Sequence, residues 1–152
     1  MASYRHLARI AVLQTLFAHE FRDLKGEPDL DSNIREFASK LKDKTFAQEL
    51  LAGVLKELTE LRRIIQEEAP EWPIERIAPI DRAVLEIGAY EIIHSKDVPP
   101  IVAINEAVDL AKGFGDLNSG KFINGVLSTI MHKYRKNEDF TKPISESLNI
   151  VP

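Results

Sequence analysis

Apolar residues recur three or four positions apart along most of this chain, and no segment alternates apolar and polar residues as a half-buried strand would. This spacing is typical of amphipathic helices that bury one face against a core. The first such segment, residues 4–22, carries an apolar stripe made of Leu7, Ile10, Leu13, Phe17 and Phe21. The sequence therefore predicts an all-α fold.

Prolines and glycines divide this pattern into about seven helical segments. Pro79 and Pro100 suit the first turn of a helix, whereas Pro70 and Pro73 end one. The predicted helices span residues 4–22, about 31–42, about 45–68, 79 to about 95, about 100–113 and 119 to about 136, with a short turn at 74–77. The connectors are short, which predicts that successive helices pack as antiparallel neighbours.

Two glycines, Gly88 and Gly125, lie inside predicted helices. Glycine at such a position costs about 1 kcal/mol relative to alanine. The close approach of another helix is the economical explanation, so we expect a neighbouring helix to contact each of them.

The composition is that of one globular domain, with 44% apolar and 29% charged residues among 152. We assign residues 1–137 to a single all-helical domain and the polar residues 138–152 to a loosely ordered tail. The absence of cysteine excludes disulfides, thiolate zinc sites and a cysteine nucleophile. No apolar run approaches the roughly 20 residues that cross a membrane, and no signal-peptide core is present, so we expect a cytoplasmic protein without membrane contact.

The charge is distributed unevenly along the chain. Residues 1–19 and 117–137 contain basic residues and no acid, whereas residues 20–116 hold 21 of the 24 acids against 13 lysines and arginines. If the two basic segments come together in the fold, one face is basic and the remainder acidic. That arrangement suits a polyanion on one side and a basic partner on the other.

The loop from Gly115 to Lys121 matches the first seven positions of a nucleotide-binding P-loop. A P-loop also needs a hydroxyl residue after the lysine to hold magnesium, and Phe122 stands there instead. It needs a buried strand before the loop, where this sequence predicts a helix. The same residues suit a polyanion, because backbone N–H groups at a helix start attract phosphate and Lys121 adds a positive charge. We therefore interpret the loop as an RNA contact without nucleotide hydrolysis.

Two positions keep a structural and a functional interpretation open. Phe122 either stacks on an unpaired base or belongs to the core with Val126. Asp81 and Arg82, in the first turn of a predicted helix, either complement the helix dipole in solvent or contact a partner together with Glu106 of the next helix.

Glu91 and His94 have the Glu-x-x-His spacing that places two metal ligands on one face of a helix. No other histidine has a glutamate three residues before it, so a surface histidine near a helix end is the simpler interpretation. The sequence shows no serine–histidine–aspartate set and no other pattern of catalytic residues. We therefore predict no enzymatic activity, no metal and no cofactor.

Five segments in order resemble the NusB family of bacterial transcription antitermination factors, over about residues 4–135. The most specific are residues 102–112, Val-Ala-Ile-Asn-Glu-Ala-Val-Asp-Leu-Ala-Lys, and 121–127, Lys-Phe-Ile-Asn-Gly-Val-Leu. The supporting segments are Ala8-Arg9 with Gln14, residues 50–54, and residues 81–85 followed by Tyr90-Glu91.

The resemblance implies two small packed helical bundles and a non-enzymatic protein that binds the boxA element of ribosomal RNA leaders as single-stranded RNA. It implies joint binding with NusE, a ribosomal protein serving as a transcription factor, within the RNA polymerase antitermination complex of the bacterial cytoplasm. The implied RNA contacts are Arg5, His6, Arg9, Asn118, Lys121 and Phe122. The implied partner surface contains Phe17, Asp81, Arg82 and Glu106.

Two other functions are open at this point. The same fold also resembles an RNA-binding appendage of ribosomal RNA methyltransferases, although this chain has no cofactor-binding βαβ pattern. An apolar patch around Phe17 would instead suit a structural bundle that forms a homodimer.

Overall fold

The computed structural model describes residues 3–21 and 28–143. Within these ranges it contains seven α-helices, one short 3-10 helix and no strand, which confirms the predicted all-α fold. The α-helices are α1 (Tyr4–Phe21), α2 (Leu30–Phe37), α3 (Thr45–Lys56), α4 (Leu58–Glu68), α5 (Pro79–His94), α6 (Pro100–Phe114) and α7 (Ser119–Tyr134), and the 3-10 helix is Ile74–Arg76. Contacts between residues divide the chain into two compact units, residues 1–56 and 57–152. None of the described helices is both long and apolar enough to cross a membrane.

Two predicted helix boundaries were wrong. The single helix predicted over residues 45–68 is two helices, α3 and α4, separated at Glu57, where ψ is 10°. Leu58 and Leu61 continue the apolar spacing across this break, so periodicity does not register it. Helix α2 ends at Phe37 rather than near residue 42, because Ala38 adopts a φ of −143° and its N–H closes the last helical turn.

The first unit packs α1 against α2 and α3. The buried face of α1 differs from the predicted stripe, of which only Leu13 is fully buried, whereas Phe21 is exposed. Ala8, Ala11 and Leu16 lie on the buried face beside it. The predicted stripe contains only large apolar side chains. The face of α1 that meets the other helices also contains small alanines, which the prediction left out.

In the second unit α5 packs against α4, α6 and α7, and ten of its 16 residues are buried. A Cβ on Gly88 would lie 2.5 Å from Leu127 Cδ1 and 3.4 Å from Ala107 Cβ, which confirms the predicted close approach of helices there. The same prediction is wrong for Gly125, because a Cβ at that position would meet no atom within 4 Å.

The first residues of the predicted tail are docked on the second unit. The carbonyl oxygen of Phe140 accepts a hydrogen bond of 3.0 Å from the backbone N–H of Ile101, and its ring lies 5.2 Å from that of His132. Residue 22, at the predicted end of the first helix, and tail residues 144–152 lie outside the described residues.

Candidate nucleic-acid interface

Two aromatic rings from separate segments of the second unit meet at its surface. Trp72, between α4 and the 3-10 helix, is 54% exposed, and Phe122, in the first turn of α7, is half-buried. Their centroids are 6.2 Å apart at an interplanar angle of 68°, an edge-to-face arrangement. Both rings line an open groove of about 580 Å³, which is completed by residues 68–71 and by Asn118, Lys121, Gly125 and Val126. Phe122 is thus a wall of this groove, which we call the aromatic groove.

The turn between α6 and α7 is held by its own short polar side chains. The N–H of Asp116 donates to Ser119 Oγ at 3.0 Å, and the Ser119 hydroxyl donates to Asp116 Oδ1 at 3.2 Å. The N–H of Asn118 donates to the same carboxylate oxygen at 3.0 Å. A Cβ on Gly115 would lie 2.6 Å from Ser119 Oγ, so this tight turn needs a glycine. This turn joins two helices, since α6 leads into it and Ser119 already belongs to α7. The geometry of the turn therefore differs from the strand-to-helix loop of a nucleotide site.

The basic residues of α7 and its C-terminal end have different surroundings. Lys121 is exposed, and no acid within the described ranges pairs with it. Lys133 donates to Glu68 at 2.8 Å. Arg135 is buried, pairs with Glu138 and donates to a backbone carbonyl of α5, and desolvation lowers its pKa. At the aromatic groove, Lys121 is therefore the cation whose charge is available to a ligand.

The predicted RNA contacts of the first unit lie on α1. The guanidinium groups of Arg5 and Arg9 lie 4.7 and 5.1 Å from the centroid of the Phe46 ring. Arg5 is exposed, whereas Arg9 is only 2% exposed. The backbone N–H of His6 donates to Ser3 Oγ at 3.0 Å, and its side chain is half-buried. Arg5 presents the accessible charge here, and Arg9 packs into the unit beside the same ring.

Asp81, a predicted partner contact, is only 8% exposed. With Asp116, Ser119 and both groove rings it lines a second cavity of about 270 Å³. Its Oδ1 has no hydrogen-bond partner among the described residues. Burial raises the pKa of Asp81, the hydroxyl of Ser119 partly offsets this shift, and the charge of Asp116 adds to it.

The other predicted partner residues lie on three different helices. Phe17 of α1 is half-buried and packs edge-to-face against Phe21, with ring centroids 4.7 Å apart. Arg82 of α5 donates to the carbonyl of Ile74 at 3.0 Å. Glu106 of α6 is half-buried.

The Glu-x-x-His pair occupies the end of α5. Glu91 is buried, whereas His94 is exposed, and its ring lies 5.3 Å from that of Tyr90. Across residues 3–21 and 28–143, no three His, Asp or Glu side chains are grouped so that they could hold a metal ion.

Sequence reasoning missed Trp72 and Gly125 as members of the groove. The signal for Trp72 was a tryptophan between two prolines, where no amphipathic helix accounts for it. The signal for Gly125 was a glycine inside a predicted helix, which we explained by close packing of another helix.

Comparisons with known proteins agree with one another. A family model described as the NusB family matches residues 6–132. The transcription antitermination protein NusB of Chloroflexus aggregans is 40% identical over 136 residues, which cover 88% of this chain and 91% of that protein. The NusB structure of T. maritima has a TM-score of 0.75 at 34% identity and covers 88% of this chain and 94% of that one. A structure described as antitermination factors NusB and NusE in complex with dsRNA has a TM-score of 0.71 at 29% identity, covering 88% and 100%.

Proposed function

This chain belongs to the NusB family, and from that premise we propose that it is an RNA-binding transcription antitermination factor and not an enzyme. Its proposed ligand is boxA-type RNA of ribosomal RNA leaders, recognised as a single strand. Its proposed protein partner is NusE, which accompanies NusB and RNA in a related structure. The two would act within the antitermination complex of RNA polymerase in the bacterial cytoplasm.

The observation that best supports RNA binding is the exposed Lys121 next to the half-buried Phe122 on a groove wall. A lysine at a helix start attracts phosphate, and an accessible aromatic ring stacks on unpaired bases of any identity. Asn118, exposed at the rim, adds a side chain that can donate and accept hydrogen bonds.

We propose that α1 supplies a second contact through Arg5, His6 and Arg9. Arg5 is exposed and suits direct contact with phosphate. The buried guanidinium of Arg9 shares the Phe46 ring with Arg5, so its proposed contribution is to hold this surface in shape and to add positive potential.

The proposed NusE surface consists of Phe17, Asp81, Arg82 and Glu106. A ribosomal protein is expected to be basic, and acids on an interface suit such a partner by charge complementarity. Since Asp81 is almost buried, we assign its role to shaping the start of α5 and to the local negative potential.

The test is a titration of the chain with labelled boxA RNA and with a scrambled RNA of equal length and composition, each with and without NusE. We expect tighter binding of boxA RNA and a further gain when NusE is added. Equal affinity for both RNAs, unchanged by NusE, would contradict the proposed function.

A further inference from the structure

We propose that the aromatic groove holds one unpaired nucleobase of the bound RNA, with Trp72 as a second aromatic surface beside Phe122. The inference rests on the proposed RNA-binding function and deepens it. It assigns roles to Trp72 and Gly125, neither of which belongs to the RNA contacts proposed above.

Trp72 is held by an ordered connector. Its backbone N–H donates to the carbonyl of Ala69 at 3.0 Å, and its own carbonyl accepts from the side-chain amide of Gln66, also at 3.0 Å. The side-chain oxygen of Gln66 accepts from the N–H of Ile74 at 2.7 Å. The side-chain amide of Gln66 also donates to the carbonyl of Ala69 at 3.3 Å, so one glutamine ties both ends of the connector, and two flanking prolines restrict its backbone. The backbone that carries the indole therefore has little freedom left to lose when a ligand binds.

The position of the indole suits a flat aromatic ligand. A single exposed apolar side chain needs no explanation, but Trp72 meets a second ring at a near-perpendicular angle. The two rings border both the cavity of about 580 Å³ and that of about 270 Å³. A base lying face-on against one ring would meet the edge of the other, and both contacts are favourable for aromatic groups.

Gly125 leaves room for that base. It is exposed in the interior of α7, and a Cβ there would meet no protein atom within 4 Å. Glycine is a poor helix former compared with alanine, and helix packing does not require it here. The space that a side chain would occupy is the groove itself.

The charge at the groove completes the match to a nucleotide. Lys121 lines the groove and is adjacent in sequence to Phe122. Its ammonium group can therefore pair with the phosphate of the nucleotide whose base is bound. Two acids line the same groove: Glu68, which is paired with Lys133 at 2.8 Å, and Glu71, which is exposed to solvent. The base of an unpaired nucleotide can stack on the aromatic rings while its phosphate pairs with Lys121.

Trp72 is the only tryptophan in the chain, so tryptophan fluorescence reports on the surroundings of this one ring. We would titrate boxA-type single-stranded RNA into the full chain and record tryptophan emission together with the anisotropy of end-labelled RNA. We expect the emission to change along the same binding curve as the anisotropy. Replacing nucleotides one at a time by abasic sites should remove the emission change at a single position.

Substitution of Trp72 tests whether the ring contributes to affinity. We expect Trp72→Ala to weaken RNA binding by about 5- to 150-fold, the range for one base–aromatic stack. Trp72→Phe should recover most of that loss. Because the side chain is half exposed, both variants should melt close to the wild-type temperature.

A pair of glycine variants tests the space in the groove. Gly125→Ala should weaken RNA binding, because its methyl group enters the site of the base. Gly113→Ala is the matched control, since a Cβ there also meets nothing within 4 Å and Gly113 does not line the groove. It should leave RNA affinity unchanged.

The outcomes separate this inference from the function on which it rests. RNA binding with unchanged tryptophan emission, and with Trp72→Ala and Gly125→Ala equal to wild type, would overturn the base site and leave the proposed function standing. If labelled RNA does not bind at all, both fail.

Discussion

Burial decides what single residues at the start of α5 and α7 can do. Asp81 carries a carboxylate that is 8% exposed and has one oxygen without a hydrogen-bond partner among the described residues, and its burial raises its pKa. A raised carboxyl pKa means that the folded state binds the proton more tightly than the unfolded state. The contribution of Asp81 to stability is therefore fully present below its unfolded pKa of about 3.9 and is lost as the pH rises through its folded pKa.

Asp81→Asn should consequently raise the melting temperature at neutral pH, because it removes a poorly solvated charge while keeping the shape of the side chain. The gain should shrink as the pH falls through the raised folded pKa of Asp81, where the wild-type carboxyl becomes protonated, and should be gone below about 4. Thermal unfolding of both proteins across this range measures the difference. Asp109→Asn, at an exposed acid of α6, is the control and should change little at any pH. If Asp81→Asn lowers the melting temperature at neutral pH, the Asp81 carboxylate is stabilised by its surroundings, and the claim that its burial is unfavourable is wrong.

Phe122→Ala distinguishes the two roles that the sequence left open for this residue. A half-buried groove wall should lose less stability than the about 3–5 kcal/mol typical of a fully buried phenylalanine. RNA binding should weaken by about 1–3 kcal/mol if the ring stacks on a base. Denaturant unfolding and RNA anisotropy on one preparation measure both quantities. A large loss of stability with unchanged RNA affinity per folded molecule would identify a core residue.

At the scale of helices, the two interior glycines should respond in opposite ways to alanine. A methyl group on Gly88 would lie 2.5 Å from a methyl of Leu127, which is fully buried. We expect Gly88→Ala to destabilise the second unit by about 1–3 kcal/mol through overpacking. Gly125→Ala should be neutral or stabilising by up to about 1 kcal/mol, because helix propensity is its main effect. Denaturant unfolding checks the pair, and equal destabilisation by both would contradict the packing described here.

Helix starts could be predicted because their signals are local. Pro79 and Pro100 stand where the sequence placed them, in the first turns of α5 and α6. The break at Glu57 could not be predicted, since the apolar spacing continues across it. The burial of Asp81 and the meeting of Trp72 with Phe122 depend on segments far apart in the chain, and no local pattern encodes them. The candidate site was therefore predicted only in part: Lys121 and Phe122 belong to a recognisable motif, whereas Trp72 and the space at Gly125 appear only in the folded unit.

For the molecule as a whole, a net charge of −4 means that RNA binding must depend on a few locally available cations. The sequence predicted two basic segments, but Lys133 is paired and Arg135 is buried. The proposed RNA contacts are divided between the two units, with Arg5 in the first and Lys121 in the second. Each should act through its charge, and each should contribute separately to the salt dependence of binding.

The salt dependence of RNA affinity tests this claim most directly. If about four phosphates are neutralised, a log–log plot of the binding constant against salt has a slope near −3 for single-stranded RNA, and losing one contact reduces its magnitude by about 0.7. We predict that reduction for Arg5→Ala and for Lys121→Ala, whereas Lys96→Ala, at an exposed lysine between α5 and α6, should keep the wild-type slope. A wild-type slope near zero, or unchanged slopes in both Arg5→Ala and Lys121→Ala, would contradict the proposed RNA interface.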